Sequence, residues 1–239
     1  MKCLRTLCLV LSLGLGFVVR GQIYSSNIVG YVNLPILAGD NLIANQLSYS
    51  DNTLSSIFGV GVPDGSTFTE WNPAAQQFLP VSTYSSETGW SINYSLTYGE
   101  GGLFHSTADF TNTFVGDVWP GIGPMGLFNP PLISADGLLL LSCVIPITNA
   151  TFYAVVGRNP QDGEYVTRLD PTTQTYFTTT YHDGAWDNGD PVLGLGESAF
   201  FNLGPVLVPE PAAAVLAAAG FLGATTIRRI FRRRRRRGV

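Results

Sequence analysis

Oxygen-bearing side chains are concentrated in one short segment of the chain, YHDGAWDNGD at residues 181–190. Its candidate metal ligands are Asp183, Asp187, Asn188 and Asp190. Calcium binds about six to eight hard oxygen ligands in flexible loops, so this segment is a candidate calcium loop, although its spacing does not match an EF-hand. A solvated acidic turn is the favoured interpretation, because the similar segment SSETGWSINY at residues 85–94 has lost nearly all of these acids.

The two histidines and the remaining cysteine do not form a catalytic or zinc-binding pattern. His182 precedes Asp183 and with it would supply part of a Ser-His-Asp arrangement, but the chain has no G-x-S-x-G nucleophile motif. Neither His105 nor Cys143 stands at zinc-ligand spacing from His182. We therefore predict no catalytic residues, no zinc site and no cofactor other than the candidate calcium ion.

Two glutamates are candidates for glycoside hydrolysis, which requires a pair of carboxylates flanking the scissile bond. Glu100 and Glu197 stand at the same place in residues 96–104 and 193–201, which share the pattern L-x-φ-G-E-x-x-φ-F, where φ is apolar. The glycine of this pattern predicts a turn between two strands. The simpler interpretation is that both glutamates serve one structural turn that occurs twice, and a carbohydrate-active enzyme is the alternative.

Aromatic residues make up 12% of the chain and include four tryptophans. Exposed aromatic rings beside Asn, Gln and Asp side chains bind sugars through stacking and hydrogen bonds. Trp90 and Trp186 occupy equivalent places in two similar halves of the chain, so we expect both in the core. Trp71 and Trp119 remain open as either core or ligand-binding residues.

The body of the chain contains two similar halves. Residues 64–104 align with residues 162–201 at a shift of 98 that falls to 96. The aligned pairs include Asp64 with Asp162, Gln76 with Gln174, Trp90 with Trp186, and Glu100 with Glu197. Upstream, NIVGYV at residue 27 aligns with TFVGDV at residue 113, and Asp40 aligns with Asp136 at a shift of 96. Internal duplication explains this ordered similarity and predicts two units at residues 22–112 and 113–207.

Both halves have the composition of β-structure. Short segments rich in Val, Ile, Thr and aromatic residues, such as NIVGYV and QTYFTTTY, are separated by turn clusters such as VPDG, WNP and YHDG. Only TLSSIFG at residues 53–59 predicts a helical turn within the body. The predicted fold class is all-β, with two tandem repeated β-sandwich or barrel-like modules flanked by an N-terminal signal helix and a C-terminal transmembrane helix.

Residues 1–21 have the layout of a secretory signal peptide. Lys2 and Arg5 precede an apolar run at residues 6–19, which is shorter than the about 20 residues of a transmembrane helix. We expect signal peptidase to cleave after Gly21. The mature chain then keeps one cysteine, Cys143, within the apolar segment LLLLSCVIP, so no internal disulfide forms and the thiol is expected in the core.

The C-terminal segment, residues 208–239, has three parts. The first is the motif Val208, Pro209, Glu210 and Pro211. The second is an apolar stretch of 16 residues, 212–227, which predicts a short transmembrane helix. The third is a cluster of eight arginines, beginning with Arg228, Arg229, Arg232 and Arg233. Retention of these arginines in the cytoplasm places the acidic body outside the inner membrane.

These three parts, in this order, resemble the PEP-CTERM sorting signal of Gram-negative bacteria that also make exopolysaccharide. The resemblance implies recognition by an exosortase, which is a membrane transpeptidase-like enzyme, and cleavage near Pro209-Glu210-Pro211. It further implies release or attachment at the cell surface or in the extracellular matrix, and nothing about the activity of the body. Residues 27–203 loosely resemble duplicated β-modules of exported proteins from such bacteria, a likeness that implies no known activity.

Charge is strongly segregated along the chain. Between residues 22 and 208 there are 16 acidic residues but only two basic ones, Arg158 and Arg168, which gives a net charge near −14. Nucleic acid and anionic membrane surfaces repel such a body, whereas cations and neutral polysaccharide remain suitable partners.

These features together predict an exported, surface-sorted, non-catalytic protein that is structural or adhesive in the cell envelope or exopolysaccharide matrix. Its expected partners are signal peptidase and an exosortase during export, the membrane through the C-terminal helix before processing, and exopolysaccharide afterwards. The alternatives are a secreted carbohydrate-active enzyme and a calcium-stabilised carbohydrate-binding module.

Overall fold

The structure, a computed structural model, describes residues 29–59, 61–119 and 130–205. Within these ranges the chain forms sixteen strands and two short helices, so the all-β prediction is confirmed. The predicted signal peptide (1–21) and sorting signal (208–239) lie outside the described residues. No helix in the described ranges has the length and apolar character needed to cross a membrane.

The secondary-structure elements follow one another in the same order in the two halves. The strands of the first half are β1 (Val29–Ile36), β2 (Gly39–Ala44), β3 (Leu47–Ser48), β4 (Thr67–Asn72), β5 (Gln77–Phe78), β6 (Ser82–Ser85), β7 (Gly89–Trp90) and β8 (Gly101–Ser106). Those that follow are β9 (Phe110–Val118), β10 (Gly137–Leu141), β11 (Ala150–Thr151), β12 (Tyr165–Asp170), β13 (Thr175–His182), β14 (Ala185–Trp186), β15 (Val192–Leu193) and β16 (Ala199–Leu203). The helices are α1 (Leu54–Ile57) and α2 (Phe152–Val156).

Each helix is a single turn that follows a short strand. The first, α1, lies within residues 53–59 as the sequence predicts. The second, α2, is capped at its start by Thr151, whose hydroxyl oxygen accepts a hydrogen bond from the Ala154 N–H at 3.3 Å. Gly157 ends this helix in the left-handed region at φ 79°, the conformation that glycine adopts most easily. Phe152 and Val156 of α2 are buried in the core beneath it.

The two large sheets have corresponding strand orders. One is β2-β8-β4-β6-β7, with β5 beside β4, and the other is β10-β16-β12-β13-β14. In the first half Thr53 forms a bridge to Ser95, and in the second half β11 pairs with β15 through Thr151 and Val192. A third sheet, β1-β9-β3, joins the halves, because β1 pairs antiparallel with β9 and aligns Gly30 with Gly116.

The two large sheets meet through matching backbone hydrogen bonds. The Ala44 N–H donates to the Gly196 carbonyl at 2.8 Å, and the Ser142 N–H donates to the Gly99 carbonyl at 2.9 Å. Ala44 precedes Ser142 by 98 residues and Gly99 precedes Gly196 by 97, so the two N–H donors occupy equivalent positions in the halves, and so do the two carbonyl acceptors. The junction therefore continues the hydrogen bonding of each sheet into its neighbour.

Two glutamines make the same link at the edge of this junction. The side-chain amide of Gln174 accepts from the Asp40 N–H at 2.7 Å and donates to the Asp40 carbonyl at 3.1 Å. The amide of Gln76 accepts from the Leu138 N–H at 3.2 Å and donates to the Leu138 carbonyl at 3.0 Å. Asp40 thus corresponds to Leu138, which corrects the predicted alignment of Asp40 with Asp136 by two residues. That alignment matched two acids, whereas the structure matches hydrogen-bonded backbone positions.

The described residues form two apolar cores, the first completed by Phe114 of β9, and a third cluster lies between the large sheets. The first core contains Phe68, Phe104 and Phe114, and the second contains Phe152 and Phe201. Burying a phenylalanine stabilises a fold by about 1.5–3 kcal/mol. The cluster at the junction consists of Leu42, Leu140 and Leu169, with Trp71, Leu103 and Phe200 packed against it. The junction is consequently an apolar contact as well as a hydrogen-bonded one.

Candidate functional site

An open cleft lies beside the hairpin that connects β13 to β14. It has a volume of about 340 Å³, and its walls include Tyr153, Asn159, Tyr181, Trp186 and Asp190. Tyr153 is 50% exposed, Trp186 is half-buried, and the side chains of Asn159 and Asp190 are exposed. The cleft therefore presents aromatic rings and hydrogen-bonding side chains to solvent on the same surface.

The hairpin turn positions the aromatic rings of this cleft. Asp183 and Gly184 both have positive φ, 51° and 83°, as in the type I′ turn that favours Asp-Gly in two-residue hairpins. This turn places Tyr181 directly opposite Trp186 across the two strands. The planes of the two rings are inclined at 66°, with centroids 5.2 Å apart, and the centroid of the Trp186 ring lies 5.5 Å from that of buried Phe152. Trp186 is thus anchored on one side by the core and by its cross-strand partner.

The corresponding tryptophan of the first half is buried. Trp90 is only 8% exposed and packs against Tyr84, its cross-strand partner, at a centroid distance of 5.3 Å. Phe58 and Phe104 surround the same ring at 5.8 and 6.0 Å. The prediction that both tryptophans lie in the core is confirmed for Trp90. Trp186 packs only partly against the second core and also lines the cleft.

The predicted calcium loop forms the acidic rim of this hairpin. Asp187 accepts hydrogen bonds from the Thr180 N–H at 2.9 Å and from the Asn188 side chain at 3.1 Å, so its carboxylate holds the turn. The Asp183 side chain is 98% exposed, and Asp190 lines the cleft. In the described ranges, no three His, Cys, Asp or Glu side chains converge on a point that would hold a metal ion. The calcium loop remains a prediction.

A second cavity lies between the large sheets and contains two carboxylates. Its volume is about 210 Å³, and Glu70, Trp71, Glu100, Leu139 and Leu140 contribute to its walls. Oε1 of Glu70 is buried and accepts no hydrogen bond from any described residue. Burial, together with the nearby charge of Glu100, raises the pKa of Glu70 from 4.5 to about 7. Glu70 therefore changes charge close to neutral pH.

The corresponding place in the second half holds an ion pair. Arg168 is the fourth residue of β12, as Glu70 is of β4. Its Nε and Nη2 atoms donate to Oε1 and Oε2 of Glu197 at 2.9 and 3.1 Å, a bidentate arrangement. The Arg168 guanidinium also lies 5.2 Å from the centre of the Phe177 ring. The same position thus carries a negative charge in one half and a positive charge in the other.

Glu100 and Glu197 each close the same turn. Oε2 of Glu100 accepts from the Thr97 N–H at 3.0 Å, and Oε2 of Glu197 accepts from the Gly194 N–H at 2.7 Å. The intervening glycines, Gly99 and Gly196, have positive φ of 77° and 68°. Both glutamates therefore accept a hydrogen bond from the N–H three residues earlier in a glycine-containing turn, which is what their interpretation as turn residues expects.

The sequence does not mark Glu70 as a site residue, because a single glutamate in a strand belongs to no motif. The alignment at a shift of 98 does place it opposite Arg168. This reversal of charge was the available signal.

Of the other predicted residues, Trp71 lines the cavity between the large sheets, and the rest lie apart from both cavities. His105 is on the surface, with Nδ1 at 2.7 Å from Oδ1 of Asp40, and His182 is 60% exposed at the end of β13. Cys143 is fully buried, as predicted, and burial raises its pKa. Trp71 donates from its indole nitrogen to the Leu138 carbonyl at 2.7 Å, and Trp119 packs against the second core.

The sorting motif lies outside the described residues. Its members are Val208, Pro209, Glu210, Pro211, Arg228, Arg229, Arg232 and Arg233. Comparison of the chain with protein-family models, curated proteins and solved structures finds no match.

Proposed function

We propose that this chain is an exported, surface-sorted and non-catalytic protein that binds neutral polysaccharide through the cleft around Trp186. The observation that carries the proposal is the contrast between the two equivalent tryptophans. Trp90 is buried in the first core, whereas Trp186 lines an open cleft beside Tyr153 and Asn159. An aromatic ring that its fold could bury, but which instead faces a cleft with polar neighbours, has the chemistry of a sugar-stacking residue.

The charge of the body selects the kind of polysaccharide. A net charge near −14 between residues 22 and 208 repels polyanions such as uronic-acid polymers. Asn159 provides an amide and Asp190 a carboxylate at the cleft, and both groups form hydrogen bonds with sugar hydroxyls. The ligand is therefore a neutral chain of hexoses in the surrounding matrix, and the protein acts there as an adhesive or structural component.

The terminal segments supply the route to that location. The signal peptide at residues 1–21 directs export, and the tail at residues 208–239 carries the three parts of a PEP-CTERM signal. Processing by an exosortase then delivers the body to the surface or the matrix. The body itself is an internal duplication, and the exchanged backbone bonds at Ala44 and Ser142 support two halves related by an approximate two-fold axis.

A binding assay with matched tryptophan and tyrosine variants tests the ligand. The processed protein is applied to a glycan array and then titrated with the best neutral glycan. Trp186→Ala lowers the affinity about five- to tenfold, as expected for loss of one stacking contact. Tyr31→Ala removes a 74% exposed ring from β1, on a different sheet, and leaves the affinity unchanged. Equal affinity of the wild type and Trp186→Ala contradicts the proposal.

A hydrolysis screen with the same glycans tests the non-catalytic part of the proposal. Oε2 of Glu100 and Oε2 of Glu197 each hold a turn, which supports a structural role for both glutamates. The wild type is expected to release no reducing ends. Turnover that Glu100→Gln or Glu197→Gln abolishes would instead establish the carbohydrate-active enzyme.

Sorting is tested in cells of a bacterium that has an exosortase. Replacement of Glu210 by Ala, combined with replacement of the arginine cluster, leaves unprocessed protein in the inner membrane. Processing that continues unchanged contradicts the assignment of the tail. This outcome is independent of glycan binding by the body.

A further inference from the structure

The cavity between the large sheets contains two carboxylates that no basic residue of the described ranges neutralises. No lysine or arginine occurs between Arg20 and Arg158. Arg158 pairs with Glu164, with 2.9 Å between Nη1 and Oε2, and Arg168 pairs with Glu197. Both arginines of the described residues are therefore already paired, so within the described ranges no basic residue is left to neutralise this cavity.

The second half shows which positive charge fits this position. There Oε2 of Glu197 holds its own turn through the Gly194 N–H and also accepts from the Arg168 guanidinium. In the first half Oε2 of Glu100 holds the turn through Thr97 in the same way, but the arginine is replaced by Glu70. The first half thus retains the carboxylate that accepts a guanidinium and lacks the guanidinium.

Glu70 adds a second acceptor at the same place. Its Oε1 atom is removed from water and accepts no hydrogen bond from any described residue. A buried carboxylate without a donor is costly when ionised, and a charged donor offsets that cost most effectively. The unsatisfied atom and the cavity beside it are two separate observations that indicate the same kind of ligand, a hydrogen-bond donor with positive charge.

We propose that this cavity binds a small organic cation with a guanidinium or primary ammonium head and a short apolar stem. Glu70 and Glu100 receive the head, while Leu139, Leu140 and Trp71 contact the stem. A tryptophan ring in the wall adds cation–π attraction. Calcium does not suit the cavity, because it needs about six to eight oxygen ligands and the apolar walls supply too few. This inference does not depend on polysaccharide binding at the Trp186 cleft.

Calorimetric titration with ethylguanidinium and ethylammonium tests the proposal at pH 8, where Glu70 is ionised, and at constant ionic strength. N-ethylurea, a neutral molecule of the same shape as ethylguanidinium, is the control ligand. We expect saturable binding of the cations with one site per chain, and at least tenfold weaker binding of N-ethylurea. Equal binding of the neutral ligand overturns the proposal, because it shows an apolar pocket without a charge requirement.

Glu70→Arg is the matched variant, since it copies into the first half the ion pair that the second half already has. A cooperative melting curve establishes that the variant is folded, and its own guanidinium is then expected to occupy the cavity. We expect this variant to lose cation binding. Unchanged cation binding in a folded Glu70→Arg variant, or the absence of saturable binding by the wild type, overturns the proposal.

Discussion

Replacement of Glu70 by glutamine is expected to change how the stability of the protein depends on pH. The pKa of Glu70 is about 7 in the folded protein, above its ordinary value of 4.5, because of burial first and the charge of Glu100 second. The folded state therefore binds the proton more tightly than the unfolded state. The resulting stabilisation is complete below pH 4.5 and is lost as the pH rises through 7.

The size of this effect follows from the shift and from the exposure of the side chain. One pKa unit corresponds to about 1.4 kcal/mol, so a shift from 4.5 to about 7 has an upper limit near 3.4 kcal/mol. Glu70 is only half-buried, and screening by solvent reduces this limit to about 2 kcal/mol. For a domain of this size, a loss of about 2 kcal/mol lowers the melting temperature by about 4–8 °C.

The assay is denaturant unfolding followed by tryptophan fluorescence at pH 5 and at pH 8. The wild type is expected to lose about 2 kcal/mol between these values through Glu70, a loss that Glu70→Gln does not show. The difference between the two proteins cancels the contribution of every other titrating group. Glu87→Gln removes one negative charge from an exposed turn and controls for net charge. If the wild type and Glu70→Gln change in parallel between pH 5 and pH 8, the environment inferred for Glu70 is wrong.

Three further predictions concern the junction, a close approach of strands and the acidic hairpin. Gln76→Ala and Gln174→Ala are each expected to lower the free energy of unfolding by about 1–2 kcal/mol, because each removes the same pair of hydrogen bonds between the halves. Unequal melting temperatures of the two variants would contradict this equivalence. Gly116→Ala places a Cβ against the backbone carbonyl of Ser48, so it is expected to lower the free energy of unfolding by about 3 kcal/mol in a chemical denaturation experiment. Gly59→Ala is the control, because Gly59 has open space around it, and it is expected to lower the free energy of unfolding far less. Calcium and a chelator are expected to give the same melting temperature, because the Asp187 carboxylate is already bonded within its turn, and a rise of several degrees with calcium would establish the calcium loop.

Local features of the fold were predictable from the sequence. The strand segments, the single helical turn at residues 53–59 and the glycine turns before Glu100 and Glu197 depend on neighbouring residues, which the sequence displays directly. The burial of Cys143 followed from its apolar neighbours for the same reason. The ordered similarity of the two halves likewise identified Trp90 with Trp186 and Gln76 with Gln174.

Contacts between the halves were not predictable in the same way. The sequence did not indicate that Gln76 and Gln174 bond to the opposite half, because such bonds join residues 62 and 134 positions apart. For the same reason the sequence alignment paired Asp40 with Asp136, because their side chains match. The backbone hydrogen bonds instead pair Asp40 with Leu138, two residues further along the chain. Pairing between distant strands depends on how the sheets meet, which short-range patterns do not contain.

The sequence by itself determined the strand-forming pattern, the likeness of the two halves and the separation of charge into two basic ends and an acidic body. These are properties of residue type and order, so no coordinates are needed to establish them. Only the tertiary structure decided that Trp90 is buried while Trp186 lines a cleft, and that Glu70 lies in a cavity where its counterpart Arg168 forms an ion pair. The physical reason is that exposure, electrostatic environment and the supply of hydrogen-bond donors depend on residues that are distant in the chain and become neighbours only on folding.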